Sequence, residues 1–368
     1  MMKKIPVFLL FAVFIAVFAA AGPLIPSRTY SDLENRYLAQ EPDFTLESFL
    51  KNEFSKEYEE YCNDQFPARD QWVTLKSVTE TALGKTENNG VVLGRDGQLF
   101  NKVIRLDTET WESHTDALLQ FAQKHSGNVT VTIVPNSYSV LSDKLPAGLH
   151  LLDQQSVIGS FYEELAPYAQ TVDLFPALSD HAGEYIYYRT DHHWTTLGAW
   201  YGYESLCGAL GLTPVPLSSF EGHEVPGFYG TYYSRSRLSG AQEDTITWYD
   251  IPVESVFCDG TQMDGLYDLS RFEIRDKYSA FLHGNHGITV IRGKNPETQK
   301  RLLILQDSFG NSIAPYFSQN YAEVTIIDLR HFAPSISQFI AENGFDDILV
   351  LYSFDGFLDE RSVLRFKY

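Results

Sequence analysis

The stretch Leu302-Leu303-Ile304-Leu305-Gln306-Asp307-Ser308-Phe309-Gly310-Asn311-Ser312 sets the reading of the fold. Its first four residues are apolar without alternation, which suits a short strand buried on both faces in a parallel sheet covered by helices. Two similar runs follow, VTII at 324–327 and ILVL at 348–351, and an earlier one, VTVTIV at 129–134, ends in Pro135-Asn136. Before and between them, Thr108 to Lys124, Gln154 to Tyr168 and Thr195 to Leu210 carry helical patterns, and Thr171 to Leu174 reads as a short strand. Residues 101–368 are therefore expected to form an α/β three-layer sandwich with a parallel sheet. Residues from about 215 to 285, rich in Tyr, Gly and Ser, break the alternation and are expected to lie as an insertion over one rim.

Nearer the amino end, Lys3 and Lys4 precede eighteen uncharged residues, Ile5 to Gly22. At about 1.5 Å rise per residue this run covers roughly 27 Å, near the ~30 Å hydrocarbon core of a bilayer. The lysines orient the amino end inward, and Ala19-Ala20-Ala21 offers small residues for cleavage. Residues 1–22 are expected to be a signal peptide cut near Ala21 or a retained membrane anchor, with the remainder extracytoplasmic. Residues 23–100 read as a stalk and collar. Leu46 to Tyr61 has the pattern of a charged amphipathic helix, Asp64-Gln65-Phe66-Pro67-Ala68-Arg69 that of a turn between helices, and Asn88-Asn89-Gly90 and Arg95-Asp96-Gly97 those of hairpin turns.

A net charge of −20 over 368 residues excludes a nucleic-acid binder, and 44% hydrophobic content supplies a packed core. Mean hydropathy of −0.20 excludes a membrane protein throughout. Cys62, Cys207 and Cys258 are too widely spaced to suggest a disulfide framework.

In an open parallel sheet, functional groups gather beyond the carboxyl ends of the strands. Ser308 falls there, at a strand-to-helix turn beside backbone N–H groups, as a nucleophile that must stabilise an oxyanion requires; the plainer role for such a serine is to cap the helix. Thr190-Asp191-His192-His193-Trp194-Thr195 places a carboxylate two residues before an imidazole. In a non-helical turn, Asp191 can orient one ring nitrogen of His193 and leave the other for a hydroxyl. With Ser308, these two residues complete the parts of a serine triad. His283-Gly284-Asn285-His286 offers two imidazoles for a metal, but its glycine, with Gly287, opposes the helix that would align them, and no metal or cofactor is expected.

Asp191-His192-His193-Trp194 resembles the signature of the DHHW protein family. Asn35-Arg36, Asp64-Gln65-Phe66-Pro67-x-Arg69, Leu83-Gly84-Lys85, Asn89-Gly90-Val91, Gly230-Thr231 and Asp307-Ser308-x-x-Asn311-Ser312 agree with that family's pattern, from about Ser31 to the carboxyl end. The family is similar in turn to alginate O-acetyltransferases, whose fold is SGNH-hydrolase-like and flavodoxin-like. By that resemblance Asp191 is the orienting aspartate, His193 the base and Ser308 the nucleophile, in an order permuted relative to ordinary SGNH esterases. Gln306 stands where the wider superfamily has glycine. Besides the Ser308 N–H, oxyanion or binding candidates are Asn311, Asn285, Gly284 and Ser353.

The resemblance implies an extracytoplasmic serine-dependent O-acyltransferase, in particular an O-acetyltransferase, or an esterase acting on a cell-surface or exported polysaccharide. Transfer implies a membrane-bound O-acyltransferase partner that supplies the acyl group. The alternative is a non-catalytic cell-wall or polysaccharide-binding module on a hydrolase-like scaffold. The negative charge favours neutral or weakly charged sugars over anionic polymers.

Overall fold

A computed structural model describes residues 5–31 and 36–368. Lys3, Lys4 and Asn35 of the sequence patterns lie outside the described residues. The chain divides into two compact units, residues 1–88 with 234–239, and residues 89–233 with 240–368.

In the smaller unit, α1 (Ile5–Ala21) is a 17-residue apolar helix whose Phe14 and Phe18 meet the ring of Trp72. Among the described residues no helix is long and apolar enough to cross a membrane. The helix expected over 46–61 is two helices, α2 (Leu46–Leu50) and α3 (Glu53–Asp64), because Asn52 adopts a left-handed conformation, φ 61°, that no helix continues through. A further helix, α4, spans Arg69–Ala82. Two of the patterned motifs are one structural lock: the Arg36 guanidinium donates to both carboxylate oxygens of buried Asp64, at 2.8 and 2.5 Å, while the Ala39 N–H adds a third bond at 2.8 Å. These bonds, led by that from Arg36, hold Asp64 below the usual carboxylate range despite its burial.

The larger unit is built on an eight-stranded sheet. Its strands are β1 (Val129–Val134), β2 (Gln170–Thr171), β3 (Val253–Cys258), β4 (Thr261–Met263), β5 (Ile288–Gly293), β6 (Arg301–Gln306), β7 (Glu323–Asp328) and β8 (Asp347–Ser353), in the spatial order 4-3-5-7-6-8-1-2. Strands 7-6-8-1-2 are parallel, whereas β5, β3 and β4 extend one edge antiparallel. The sheet is thus mixed rather than purely parallel, and part of the stretch expected to lie over a rim, β3 and β4, joins the sheet itself. The strand expected over 171–174 contracts to Gln170–Thr171.

The apolar runs are explained by the pleat. Leu302 and Ile304 of β6 face a core shared with α7 (Thr196–Leu210) and α8 (Gly310–Phe317). Leu303 and Leu305 face the opposite core, shared with α5 (Thr108–Lys124) and α6 (Gln154–Leu165). Val91–Leu93 and Leu99–Asn101 pair around Arg95-Asp96-Gly97, where Asp96 and Gly97 have the positive φ of a hairpin turn. Val91, Val92, Leu99 and Phe100 are all buried, so this hairpin belongs with the sheet and the division between units falls at 88/89 rather than near 100.

Candidate active site

Three structural constraints fix the Asp191–His193 turn. Tyr187 and Trp194 form an antiparallel bridge, and the Tyr188 N–H reaches the His193 carbonyl at 3.2 Å, so residues 189–192 close a tight loop. Buried Asp244 grips that loop, accepting from the Arg189 and Thr190 N–H groups at 2.7 and 2.8 Å, from the Thr190 hydroxyl at 2.5 Å and from the Tyr185 hydroxyl. The hairpin at 91–101 braces it from outside, through Leu99 N–H to Arg189 O at 2.7 Å and Gln98 Nε2 to Tyr188 O at 2.8 Å.

Within the loop, Asp191 Oδ1 lies 2.5 Å from His193 Nδ1 and also accepts the His193 N–H at 3.1 Å. Its other oxygen accepts from the Thr231 N–H at 2.7 Å and the Thr231 hydroxyl at 3.0 Å. Gly230-Thr231 therefore earns its place in the pattern sterically as well as by bonding: a Cβ on Gly230 would sit 2.2 Å from Asp191 Cβ and Oδ2. Burial pushes the Asp191 carboxyl up, but the adjacent His192 and His193 rings, with the bonds from His193 and Thr231, outweigh it and hold the carboxyl well below the usual carboxylate range. His193 Nε2 then lies 2.8 Å from Ser308 Oγ. Carboxylate, imidazole and hydroxyl form one unbroken hydrogen-bonded chain, with Asp191 and His193 only 2% and 5% exposed.

Ser308 sits two residues past β6 and two before α8. Its side chain does not cap that helix, whose first residue has no side-chain cap. Asp307 instead points backward, accepting the Phe309 N–H at 3.0 Å and, from the end of β8, the Ser353 N–H and hydroxyl at 2.8 and 2.6 Å. Burial raises its pKa against these bonds. The Ser308 N–H has no acceptor among the described residues, which leaves it available to a developing negative charge. Trp194 ties the two halves of the site together: fully buried, its Nε1–H reaches Phe309 O at 3.1 Å and Ser312 Oγ at 2.9 Å.

The four further candidates separate. Ser353 spends its one hydroxyl proton on Asp307 while accepting from Gly356 N–H at 3.0 Å, and Gly284 spends its N–H on Phe281 O at 3.0 Å, so neither offers a donor to a ligand. Asn311 and Asn285 are joined, Asn311 Nδ2 donating to Asn285 Oδ1 at 2.9 Å, while Gln306 Nε2 donates to Asn311 Oδ1 at 2.7 Å. The Gln306 side chain fills the space over Gly310, where a Cβ would meet its Oε1 at 1.7 Å. Gln306 thus orders the amide pair.

Tyr278 carried no sequence signal. Its ring stacks on His193, with centroids 3.7 Å apart and planes 12° from parallel, and its hydroxyl bonds Ser308 O and Ser312 Oγ at 3.1 and 3.2 Å. It covers one face of the imidazole and braces the serine turn. His192 bonds Thr231 Oγ1 through Nδ1 at 2.7 Å, and its ring lies 3.8 Å from that of His193. Asp191, His192 and His193 each bring one potential metal-ligating atom within 4.8 Å of the others, although the Asp191–His193–Ser308 bonds already occupy most of that set. His283 Nε2 is committed to Gly265 O, and the two ring nitrogens of His286 to Asp259 and His283 O.

The chain matches the DHHW protein family over residues 112–327, more than half its length, a span that includes Asp191, His193 and Ser308. It is similar to a DHHW family protein from Eubacterium siraeum, 26% identical with a TM-score of 0.65 over 76% of this chain and 95% of that one. It is also similar in fold to PatB1 of Bacillus cereus with a sulfonyl adduct, at 21% identity and TM-score 0.64 over 77% of this chain and 100% of that one. A second structure of Bacillus cereus PatB1 gives TM-score 0.62 at the same identity, over 74% of this chain and 98% of that one. No curated protein matches the chain. By the extent and position of the match, this chain belongs to the DHHW protein family.

Proposed function

We propose that this protein is a serine-dependent O-acyltransferase or esterase, most simply an O-acetyltransferase, acting outside the cytoplasm on a cell-surface or exported polysaccharide. The observation that carries the reading is the Asp191–His193–Ser308 chain, with links of 2.5 and 2.8 Å. His193 Nε2 takes the Ser308 proton as Oγ attacks the acyl carbon of the donor; the leaving group departs with that proton, and an acyl-serine remains. An acceptor hydroxyl then passes its proton to His193 as its oxygen bonds the acyl carbon, and Ser308 Oγ leaves and is reprotonated. With water as acceptor the same steps give hydrolysis. The free Ser308 N–H is the oxyanion donor, and the Asn311–Asn285 pair is the candidate second contact.

The mixed sheet with helices on both faces, and the serine beyond a parallel strand, support an SGNH-hydrolase-like arrangement with the Asp-His motif preceding the serine. The apolar run at 5–22 supports export, with anchoring or cleavage near Ala21 as alternatives, and a membrane-bound O-acyltransferase is the proposed acyl donor. Acetate release from p-nitrophenyl acetate tests the reaction. Ser308→Ala should abolish release above background; release equal to the parent sinks the proposal and favours a glycan-binding module.

A further inference from the structure

Beside the proposed triad stands a second imidazole that those steps do not use. Thr231 has one hydroxyl proton, and it goes to Asp191 Oδ2. The 2.7 Å contact between Thr231 Oγ1 and His192 Nδ1 must therefore be His192 donating. In a neutral ring this leaves Nε2 as a lone-pair acceptor. Burial, and next to it His193, push the His192 pKa down to about 4, so the ring is neutral near pH 7. Nε2 has no donor among the described residues, and the side chain is 32% exposed. Its ring centroid is 3.8 Å from that of His193, whose Nε2 faces Ser308.

Resting on the acyl-transfer reading above, we propose that His192 binds the hydroxyl adjacent to the one being acylated, so that the acceptor is a vicinal diol of a sugar or polyol. Proton counting leads there. The attacking hydroxyl gives its only proton to His193 as the new C–O bond forms and the Ser308 Oγ–C bond breaks. It has no proton left for His192, but the hydroxyl on the neighbouring carbon does. The two imidazoles, side by side on one carboxylate through Thr231, match two side-by-side hydroxyls. His192 is thus a specificity residue of the second half-reaction with no part in forming the acyl-serine.

The test acetylates 1,2-propanediol and 1-propanol in competition, with the full chain and p-nitrophenyl acetate, and follows sulfonyl fluoride labelling of Ser308 separately. One neutral hydrogen bond is worth about 0.5–1.5 kcal/mol, so the wild type should prefer the diol by about two- to twelvefold per hydroxyl. His192→Leu should bring that ratio near one while Ser308 labelling stays within about twofold, and His192→Gln, which keeps an acceptor oxygen, should retain part of it. A wild-type ratio near one, or a preference that survives in His192→Leu, overturns the inference alone. Absence of any wild-type label or acetyl group on Ser308 overturns the acyl-transfer reading, and this inference with it.

Discussion

Replacing Gly230 with alanine probes the site from outside the Asp191–His193–Ser308 chain. The added Cβ falls 2.2 Å from Asp191 Cβ and Oδ2 and 2.5 Å from Cγ. Ordinary carbon contacts lie at about 3.5–4.0 Å, so Asp191 or the Gly230 backbone must retreat by roughly 1 Å or more. Neither retreats freely. Gly230 N–H is bonded to Thr190 Oγ1 at 3.0 Å, and Asp191 is held by Thr231 and His193. Hydrogen bonds to a charged group are worth about 1.5–3 kcal/mol each, so weakening one or two costs on the order of 2–4 kcal/mol of stability. A misplacement of about 1 Å in an orienting group costs about 100-fold in rate. Gly230→Ala should therefore label Ser308 with a sulfonyl fluoride about 100-fold more slowly and shift the urea midpoint downward. Gly208→Ala is the control: its Cβ meets nothing within 4 Å in α7, and a helical Gly-to-Ala change should stabilise by up to about 1 kcal/mol. If Gly230→Ala labels within about threefold of wild type at an unchanged midpoint, the role assigned to Asp191 is wrong.

Other consequences follow from the same geometry. Ser353→Ala removes a bond to Asp307 and the cap of α9 (Phe354–Asp359), and should lower the urea midpoint by the equivalent of about 1–3 kcal/mol while Ser308 labelling falls less than about tenfold; a rate loss without a stability loss would restore Ser353 as an oxyanion donor. Tyr278→Phe keeps the ring on His193 but loses the hydroxyl, and should cost about 1 kcal/mol of stability by calorimetry, with Tyr278→Ala costing more; equal effects would show that stacking contributes nothing. Since the folded-state pKa of His192, about 4, lies below its ordinary 6.5, the unfolded chain binds the extra proton first, and stability should fall as pH drops from about 6.5 toward 4. That fall should be shallower in His192→Gln, and an identical slope in pH-dependent urea melts would contradict the neutral ring.

The central strands were legible because burial on both faces leaves their sequences continuously apolar, as in Leu302 to Leu305. The antiparallel edge was not: β3 and β5 have inward side chains alternating with half-exposed or exposed ones, a signal that merges with the loops around it. Asp191, His193 and Ser308 were legible because Asp-x-His and a strand-end Asp-Ser have few other uses together. Tyr278 and Asp244 were hidden for the opposite reason. A buried tyrosine and a buried aspartate have many structural uses, and their positions against Ser308 and Thr190 arise only when residues 30 and 54 apart in sequence meet. For Gly284 and Ser353, residue type shows that a donor exists, while only the fold shows where it is already bound.

The proposed chemistry requires Ser308 to be a nucleophile activated by its neighbours. Intact-mass and peptide mapping after treatment with a sulfonyl fluoride measures this, for wild type, Ser308→Ala and His193→Gln. One adduct on the peptide containing Ser308 is expected, absent in Ser308→Ala and slowed at least about 100-fold in His193→Gln. Labelling at the wild-type rate in His193→Gln, an adduct on another residue, or no adduct on the wild type would contradict it.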